Sequence, residues 1–475
     1  MLISFLIFFF LFSGVGVISS LWRKNTIEDY FLASRNIPAW LVALSFGATI
    51  SSGATFIGFA GLAYNTGINA IYVIAALTIG DHIGWLIASN KIRNKAIERN
   101  AHTYPSLIGK LGDKDQPIVT LIAALLTVVF LGTYCAAQLV AGAKIGESLF
   151  DWDYTYFIIM GAIVLLAYCW SGGIRASIWT DAVQAILIMV SLLILIIAGL
   201  YRIGGVSELW SQLNAIDPKL TDPFQLTFVS VIIGWVCFGV GILGQPQLMV
   251  RHMVARSDKD LLVARHFYLS WRWSVLLLSC FSGMIARVLI PASEGVGFDA
   301  ELSIPLLWQD LLPPVLVGLL IAGLFSATMS TADSLLLSAS SALTQNIIPK
   351  WRDSYVFARL GTVFVIILIV TIALFADKGV LSLVVLAWGY MAAALAPAII
   401  VQLLGFRPSQ RLVITMMITG FAMTALWQHG LMLNKVLLSL VPGMGVGFIV
   451  FALAYPLELK KRINNNPDNQ MAAAE

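Results

Sequence analysis

The sequence predicts an all-α polytopic membrane protein of about 13 spans, built around two inverted repeats of about five spans each. Three observations predict it. Hydrophobic residues make up 59% of the 475 residues and charged residues only 11%, against roughly a quarter charged in ordinary soluble domains. Apolar runs of about 20 residues, long enough to cross ~30 Å of hydrocarbon, recur from the first residue to Tyr455. Two of these runs, about five spans apart, are interrupted by clusters of glycine.

The first run, "MLISFLIFFFLFSGVGVISSLW", has no basic residue before its apolar core and is followed by Arg23 and Lys24. A cleaved signal peptide shows the reverse order, so this reads as a retained span with its N-terminus outside. Further spans centre roughly near residues 50, 78, 130, 163, 190, 236, 280, 328, 367, 393, 419 and 446. Basic residues fall in alternate loops: Arg23, Lys24 and Arg35; Lys91 to Lys114; Arg175; Arg251, Arg256, Lys259 and Arg265; Lys350, Arg352 and Arg359; Arg407 and Arg411; Lys460 to Arg462. The intervening loops, such as "DWDYTY" and "PASEGVGFDAEL", are acidic or neutral. The positive-inside rule then places the C-terminus in the cytoplasm. This topology accounts for the formal charge of +4 without a nucleic-acid partner. The whole chain reads as one transmembrane domain: residues 1–24 an added first span, about 38–405 the repeat core, about 411–457 two added spans, and 458–475 a polar tail without fixed structure.

The four cysteines, Cys135, Cys169, Cys237 and Cys280, each lie inside an apolar run and read as small buried hydrophobes. They outline no metal or disulfide framework.

The interrupted runs are span 2, "ALSFGATISSGATFIGFAG", and span 7, "GWVCFGVGILGQPQLMV", which adds Pro246. Either alone could mark close helix packing. Together, at matching positions of inverted halves, they point to a substrate and ion site near the membrane midplane, where unwound backbone lines a cavity. Span 9, "AGLFSATMSTADSLLLSASSALTQ", carries the complementary chemistry. Residues three and four apart share a helix face, which groups Ala327 with Ser330 and Thr331, and Ser330 with Asp333 and Ser334. A hard monovalent cation takes several oxygen ligands, and hydroxyls with freed carbonyls supply them without a buried full charge. Ser338, Ser340 and Ser341 read instead as hydroxyls bonded to their own or a neighbouring helix.

Acidic residues inside spans are functional candidates because they are costly there. Asp333 is one. Asp181, in "SGGIRASIWTDAVQ", is a second, with a solvated boundary position as its alternative. Asp81 with His82, in "LTIGDHIGW", is a third: a proton relay, or a structural pair facing the bundle.

These residues carry a resemblance. From "DYFLASRNIPAWLVALSFGATISSGATFIGFAG" through "LGTYCAAQLVAGAKIGESLF", "SGGIRASIWTDAVQ" and "GQPQLMVRHMVARSDKDLLVARH" to "SATMSTADSLLLSASSALTQ", the chain resembles the sodium:solute symporter family, and within it the bacterial sodium/proline branch. The resemblance implies a leucine-transporter-like core and a multi-pass protein of the bacterial inner membrane. It implies a sodium site formed by the carbonyls of Ala48, Ser51 and Ala327 with the hydroxyls of Ser330 and Thr331. By the pattern of some members it implies a second cation site at Asp181, Asp333 and Ser334. It also implies a substrate pocket at Ser52, Gly53, Tyr134, Phe238, Ile242 and Pro246. Three positions depart from the proline branch, which has an aspartate at Ile50, a tryptophan at Phe238 and a tyrosine at Ile242. Those losses make the pocket more apolar and remove hydrogen-bonding groups.

The resemblance implies a sodium-coupled symporter that imports a small organic solute by alternating access, best matched by proline or another small amino acid. Alternatives are sodium- or proton-coupled carriage of pantothenate or another monocarboxylate, a sugar, or sialic acid. A sensor built on a transporter fold would need a signalling domain, and about 20 polar residues after the last span leave no room for one. An enzyme is not expected: His82, His102, His252, His266 and His429 are scattered, and no nucleophile motif or metal-ligand spacing accompanies them. No cofactor beyond sodium as coupling ion is implied. The expected partners are the solute, sodium and the lipid bilayer; the sequence fixes no oligomeric state.

Overall fold

The computed structural model describes the chain apart from residues 113, 151, 224–228, 291–299, 301–302, 376–379 and 465–475. The loop "PASEGVGFDAEL" therefore lies almost wholly outside the described residues. Among the described residues the regular structure is helical, apart from one isolated bridge between Ile37 and Ala255. That is the outcome expected for a chain in lipid, where each span satisfies its own backbone polar groups.

The principal helices, in chain order, are α1 (Leu2–Ser19), α2 (Ala39–Ile50), α3 (Gly53–Thr66), α4 (Ala70–Ala88) and α5 (Pro117–Leu126). A π-helical turn at Thr127–Leu131 joins α5 to α6 (Gly132–Phe150). Then come α7 (Tyr154–Ile203), α8 (Val229–Val240), α9 (Pro246–Val254), α10 (Asp258–Leu289), α11 (Pro314–Ala342), α12 (Tyr355–Phe375), α13 (Val380–Leu403), α14 (Gln410–Ala425) and α15 (Leu440–Asn464).

By length and apolarity, 10 helices can cross a membrane, or 11 when a bent pair is taken as one span. The count of about 13 expected from the sequence differs at two places. α7 holds both runs centred near 163 and 190 as two helical stretches joined across a kink at Gly173, which is non-helical at φ 56° and ψ −143°, and the pair is counted once among the 10. Fifty residues would extend roughly 75 Å, more than twice the hydrocarbon thickness. A side chain at Gly173 would meet the Tyr30 carbonyl at 2.4 Å, so both its φ and its surroundings require glycine. The other place is span 2, which is two short helices, α2 and α3, separated at Ser51 and Ser52. The polar tail expected from residue 458 is helical as far as Asn464.

The two interrupted runs are interrupted in space as well. α2 stops at Ile50, and Ser51 leaves the helical region at φ −93° and ψ 62°. α8 passes through a 3₁₀ turn at Gly241–Gly244 and resumes as α9 at Pro246, with a 56° bend. Proline has no N–H and fits the first turn of a helix, which explains why α9 restarts there. α2 packs against α7, α9, α10 and α11, so the broken segments sit inside the bundle. α11 is enclosed over most of its length, with every residue from Leu320 to Ala342 buried.

Candidate functional site

The last turn of α2 leaves carbonyls that no continuing helix can satisfy. The Ser51 amide takes the Gly47 carbonyl at 3.0 Å. Thr331 on α11 donates its hydroxyl to the Thr49 carbonyl at 3.1 Å, tying α11 to the broken end of α2. Ser330 Oγ is buried beside it and faces the Asp181 carboxyl. Ala48, Ser51, Ala327, Ser330 and Thr331 are all fully buried at this junction of α2 and α11.

One turn along α11 lies a denser polar cluster. Asp333 accepts hydrogen bonds from Ser177 at 2.5 Å, Ser334 at 2.9 Å and Tyr168 at 3.0 Å. Asp181 accepts from Ser45 at 2.6 Å and is fully buried. Between the two carboxylates lies the guanidinium of Arg251. Its Nη2 is 3.1 Å from Asp181 and also donates to Ser334, while Nε donates to Ser45 at 3.2 Å and Nη1 to the Gln247 carbonyl at 2.5 Å. Arg251 and Asp181 are 1% and 0% exposed, so the pair is fully desolvated.

The structure decides between the two readings of Asp181 and corrects those of Arg251, Asp81 and His82. Asp181 is not a solvated boundary residue but a buried one whose partners come from α2 and α9. Arg251 is not a loop charge: α9 is buried from Pro246 to Val254, and the bend after Gly244 carries the arginine into the bundle. Asp81 and His82 form no relay. Adjacent helix residues point about 100° apart; Asp81 faces inward to Arg272, whereas His82 is exposed beside Ile79, Ile83 and Trp273.

Beyond the break, a cavity of about 110 Å³ is lined by Ile50, Phe59, Tyr134, Trp235, Phe238 and Trp388, among others. Tyr134 follows the π-helical turn that opens α6, and it is hydrogen-bonded to Ser52. Of the residues expected at a substrate pocket, Tyr134 and Phe238 line this cavity, while Ser52 and Gly53 lie at the break before α3 and are not among its lining residues. Ile242 packs on Gly84 of α4, and Pro246 lines a separate narrow crevice with Tyr104 and Arg251.

A model of the sodium:solute symporter family matches residues 30–420. The chain belongs to that family. It is a sodium:solute symporter with an all-helical membrane fold. Among curated relatives, the sodium/proline symporters of Salmonella typhimurium and Escherichia coli are each 30% identical over 478 residues, covering 95% of this chain and 93% of theirs. The osmoregulated proline transporter of Bacillus subtilis is 28% identical over 440 residues, covering 90% of this chain and 89% of its own. Among solved structures, a sodium-coupled sialic acid symporter in a substrate-bound outward-open state superposes with a TM-score of 0.82 at 20% identity, covering 96% of each chain. A transporter of the nucleobase-cation-symport-1 family superposes at 0.58 and 14% identity, over 89% of this chain and 94% of its own. At those identities the likeness concerns the fold alone.

Within this symporter, sequence reasoning missed two residues, Arg251 as a member of the site and Arg272 altogether. The available signal was charge inside an apolar run: "SWRWSVLLLSCFSGMIARVLI" carries Arg272 in mid-span, where an ionisable side chain is a functional candidate. Ser340 and Ser341 behave as structural hydroxyls, bonded to Thr362 at 2.9 Å and to the Ser338 carbonyl at 2.9 Å.

Proposed function

We propose that this symporter uses an inward sodium gradient to import a small amino acid, proline or a similar apolar one, and that it releases its cargo chemically unchanged. The observation that carries this reading is the junction of the broken α2–α3 span with α11, where buried hydroxyls and helix-end carbonyls converge next to an apolar cavity. Sodium binds through the carbonyls of Ala48, Ser51 and Ala327 and the hydroxyls of Ser330 and Thr331. Its charge holds the end of α2 against α11, and that contact shapes the cavity beyond Ser52. Substrate reciprocally tightens sodium binding, because coupling between two sites is one shared free energy. The membrane potential contributes ~2.3 kcal/mol per charge per 100 mV.

Asp181, Asp333 and Ser334 provide a second cation site in this reading. Two carboxylates against one guanidinium leave a single negative charge uncompensated, which is room for one monovalent cation or one proton and no more. The protein lies in the bacterial inner membrane with its N-terminus outside and its C-terminus in the cytoplasm. Residues 38–405 carry the repeat core and residues 411–457 the added spans.

The test is uptake of radiolabelled proline and of other apolar amino acids by proteoliposomes, with sodium replaced by choline at fixed pH. Uptake that collapses in choline supports sodium coupling. Uptake that persists in choline and follows an imposed pH gradient assigns the coupling to protons through the buried carboxylates.

A further inference from the structure

Two charged residues reach the apolar cavity, and the transport reading has not used them. Asp81 on α4 is 0% exposed and Arg272 on α10 is 2% exposed, and both line the cavity. Arg272 Nε donates to Asp81 Oδ2 at 3.2 Å, and Tyr268 donates to the same oxygen at 3.1 Å. Arg272 Nη1 donates to Ser51 Oγ at 3.0 Å. That leaves Nη2 with no hydrogen bond among the described residues, and Asp81 Oδ1 buried without a partner. The pair is neutral as a whole, yet it keeps one donor group and one acceptor oxygen uncommitted. The rest of the wall is hydrocarbon and aromatic: Phe238 stacks on Trp388 with ring centroids 4.9 Å apart, and Trp235 lies 5.2 Å from Phe238. The Trp388 indole already donates to the Phe238 carbonyl at 3.1 Å.

We propose that Asp81 and Arg272 together read the two charges of a zwitterionic α-amino acid. Arg272 Nη2 binds the carboxylate, Asp81 Oδ1 accepts from the ammonium, and the aromatic wall encloses an apolar side chain. The proposal rests on the symport reading above and names the recognition within it. A bare carboxylate would bring a net negative charge, and a bare amine a net positive one, into a cavity whose own charges already cancel; a zwitterion leaves the balance unchanged. A sugar would bring hydroxyls to a wall that offers few partners, and an unpaired buried polar group is costly. Ile50 and Asp81 line the same cavity, so a carboxylate from α4 serves where α2 carries only an aliphatic side chain. Ser51 accepts from Arg272 through its side chain, while its carbonyl is one of the proposed sodium ligands. Cavity occupant and ion thus share one residue.

The test uses the purified full chain in nanodiscs and reads tryptophan fluorescence, since Trp235 and Trp388 line the cavity. In sodium, L-leucine and L-proline are titrated alongside L-valine and L-phenylalanine. Leucine is compared with isocaproate and isopentylamine, and proline with cyclopentanecarboxylate and pyrrolidine; each comparison removes one charge. The expected result is that leucine or proline binds and that both of its half-analogues bind at least roughly 30-fold more weakly, each having lost a charge-assisted contact. A half-analogue within about threefold of its amino acid overturns the proposal. So does a panel in which none of the four amino acids binds. Arg272→Gln and Asp81→Asn should abolish amino-acid binding, and Arg272→Lys should retain part of it; the analogue series on the unaltered chain decides the matter if the buried pair proves necessary for folding. Repeating the titration in choline separates the two readings. Charge-selective binding that ignores sodium refutes the coupling and leaves the recognition standing, whereas sodium-dependent binding of a half-analogue does the opposite.

Discussion

Replacing Arg251 by methionine is the most informative single perturbation of the polar cluster. Its guanidinium lies 3.1 Å from Asp181 with neither side chain exposed to water. At an effective dielectric of about 20, that separation corresponds to ~5 kcal/mol of attraction, much of it offset by the cost of desolvating both groups. Removing one partner forfeits the attraction and leaves the carboxylate buried and unpaired, which costs about 3–5 kcal/mol. Arg251→Met should therefore lower thermal stability in detergent sharply, and Asp181→Asn alone, which removes the direct ion pair but leaves Asp333 as a counter-charge, should lower it less. The double variant removes both charges of the pair, leaving Asp333 with its three hydroxyl donors, and should recover much of the Arg251→Met loss, a strongly non-additive cycle. Sodium adds a second readout. With two carboxylates and no guanidinium, Arg251→Met should be stabilised by sodium over choline more than the unaltered protein is. Additive losses in the double variant, together with an unchanged response to sodium, would refute the reasoning.

Three further outcomes follow from the geometry. Thr331→Ala removes the hydroxyl that reaches the Thr49 carbonyl at 3.1 Å and one proposed ion ligand; half-saturation for sodium in proteoliposome uptake should rise roughly 10- to 100-fold, with Thr331→Ser near normal. Gly80→Ala would put a Cβ 2.1 Å from the Val236 carbonyl oxygen, where α4 crosses α8, and should cost about 1–3 kcal/mol by thermal unfolding. Gly14→Ala, with nothing within 4 Å, is its neutral control. His102, between α4 and α5, is held below its ordinary value of 6.5, chiefly by burial and then by the nearby charges of Arg35 and Lys110, against an opposing pull from Glu28. A lowered histidine favours the neutral form in the folded state, so its contribution is intact above pH 6.5 and is lost as pH falls below that value toward the folded one. His102→Gln should flatten the melting temperature across that acid range; a melting profile identical to that of the unaltered protein would rule this out.

The sequence by itself determined the fold class, the interrupted runs and the hydroxyl face of α11. Each depends on local pattern: apolar run length, glycine and proline at a break, and the spacing that puts Ser330 and Thr331 within one turn of Ala327. Charge counting along the chain also led to a mistake, because it assigned Arg251 to a loop. Only the tertiary structure could decide which buried charges meet. Asp181 finds Arg251 from 70 residues away and Asp81 finds Arg272 from 191 residues away. A lone ionisable residue in a span announces that a partner must exist, since an unpaired buried charge is costly, but which one it is depends on how the helices cross. The same holds for the cavity, whose wall is assembled from α2, α3, α4, α6, α8, α10 and α13. Its chemistry, a neutral pair with two uncommitted atoms among aromatic rings, belongs to no single stretch of the chain.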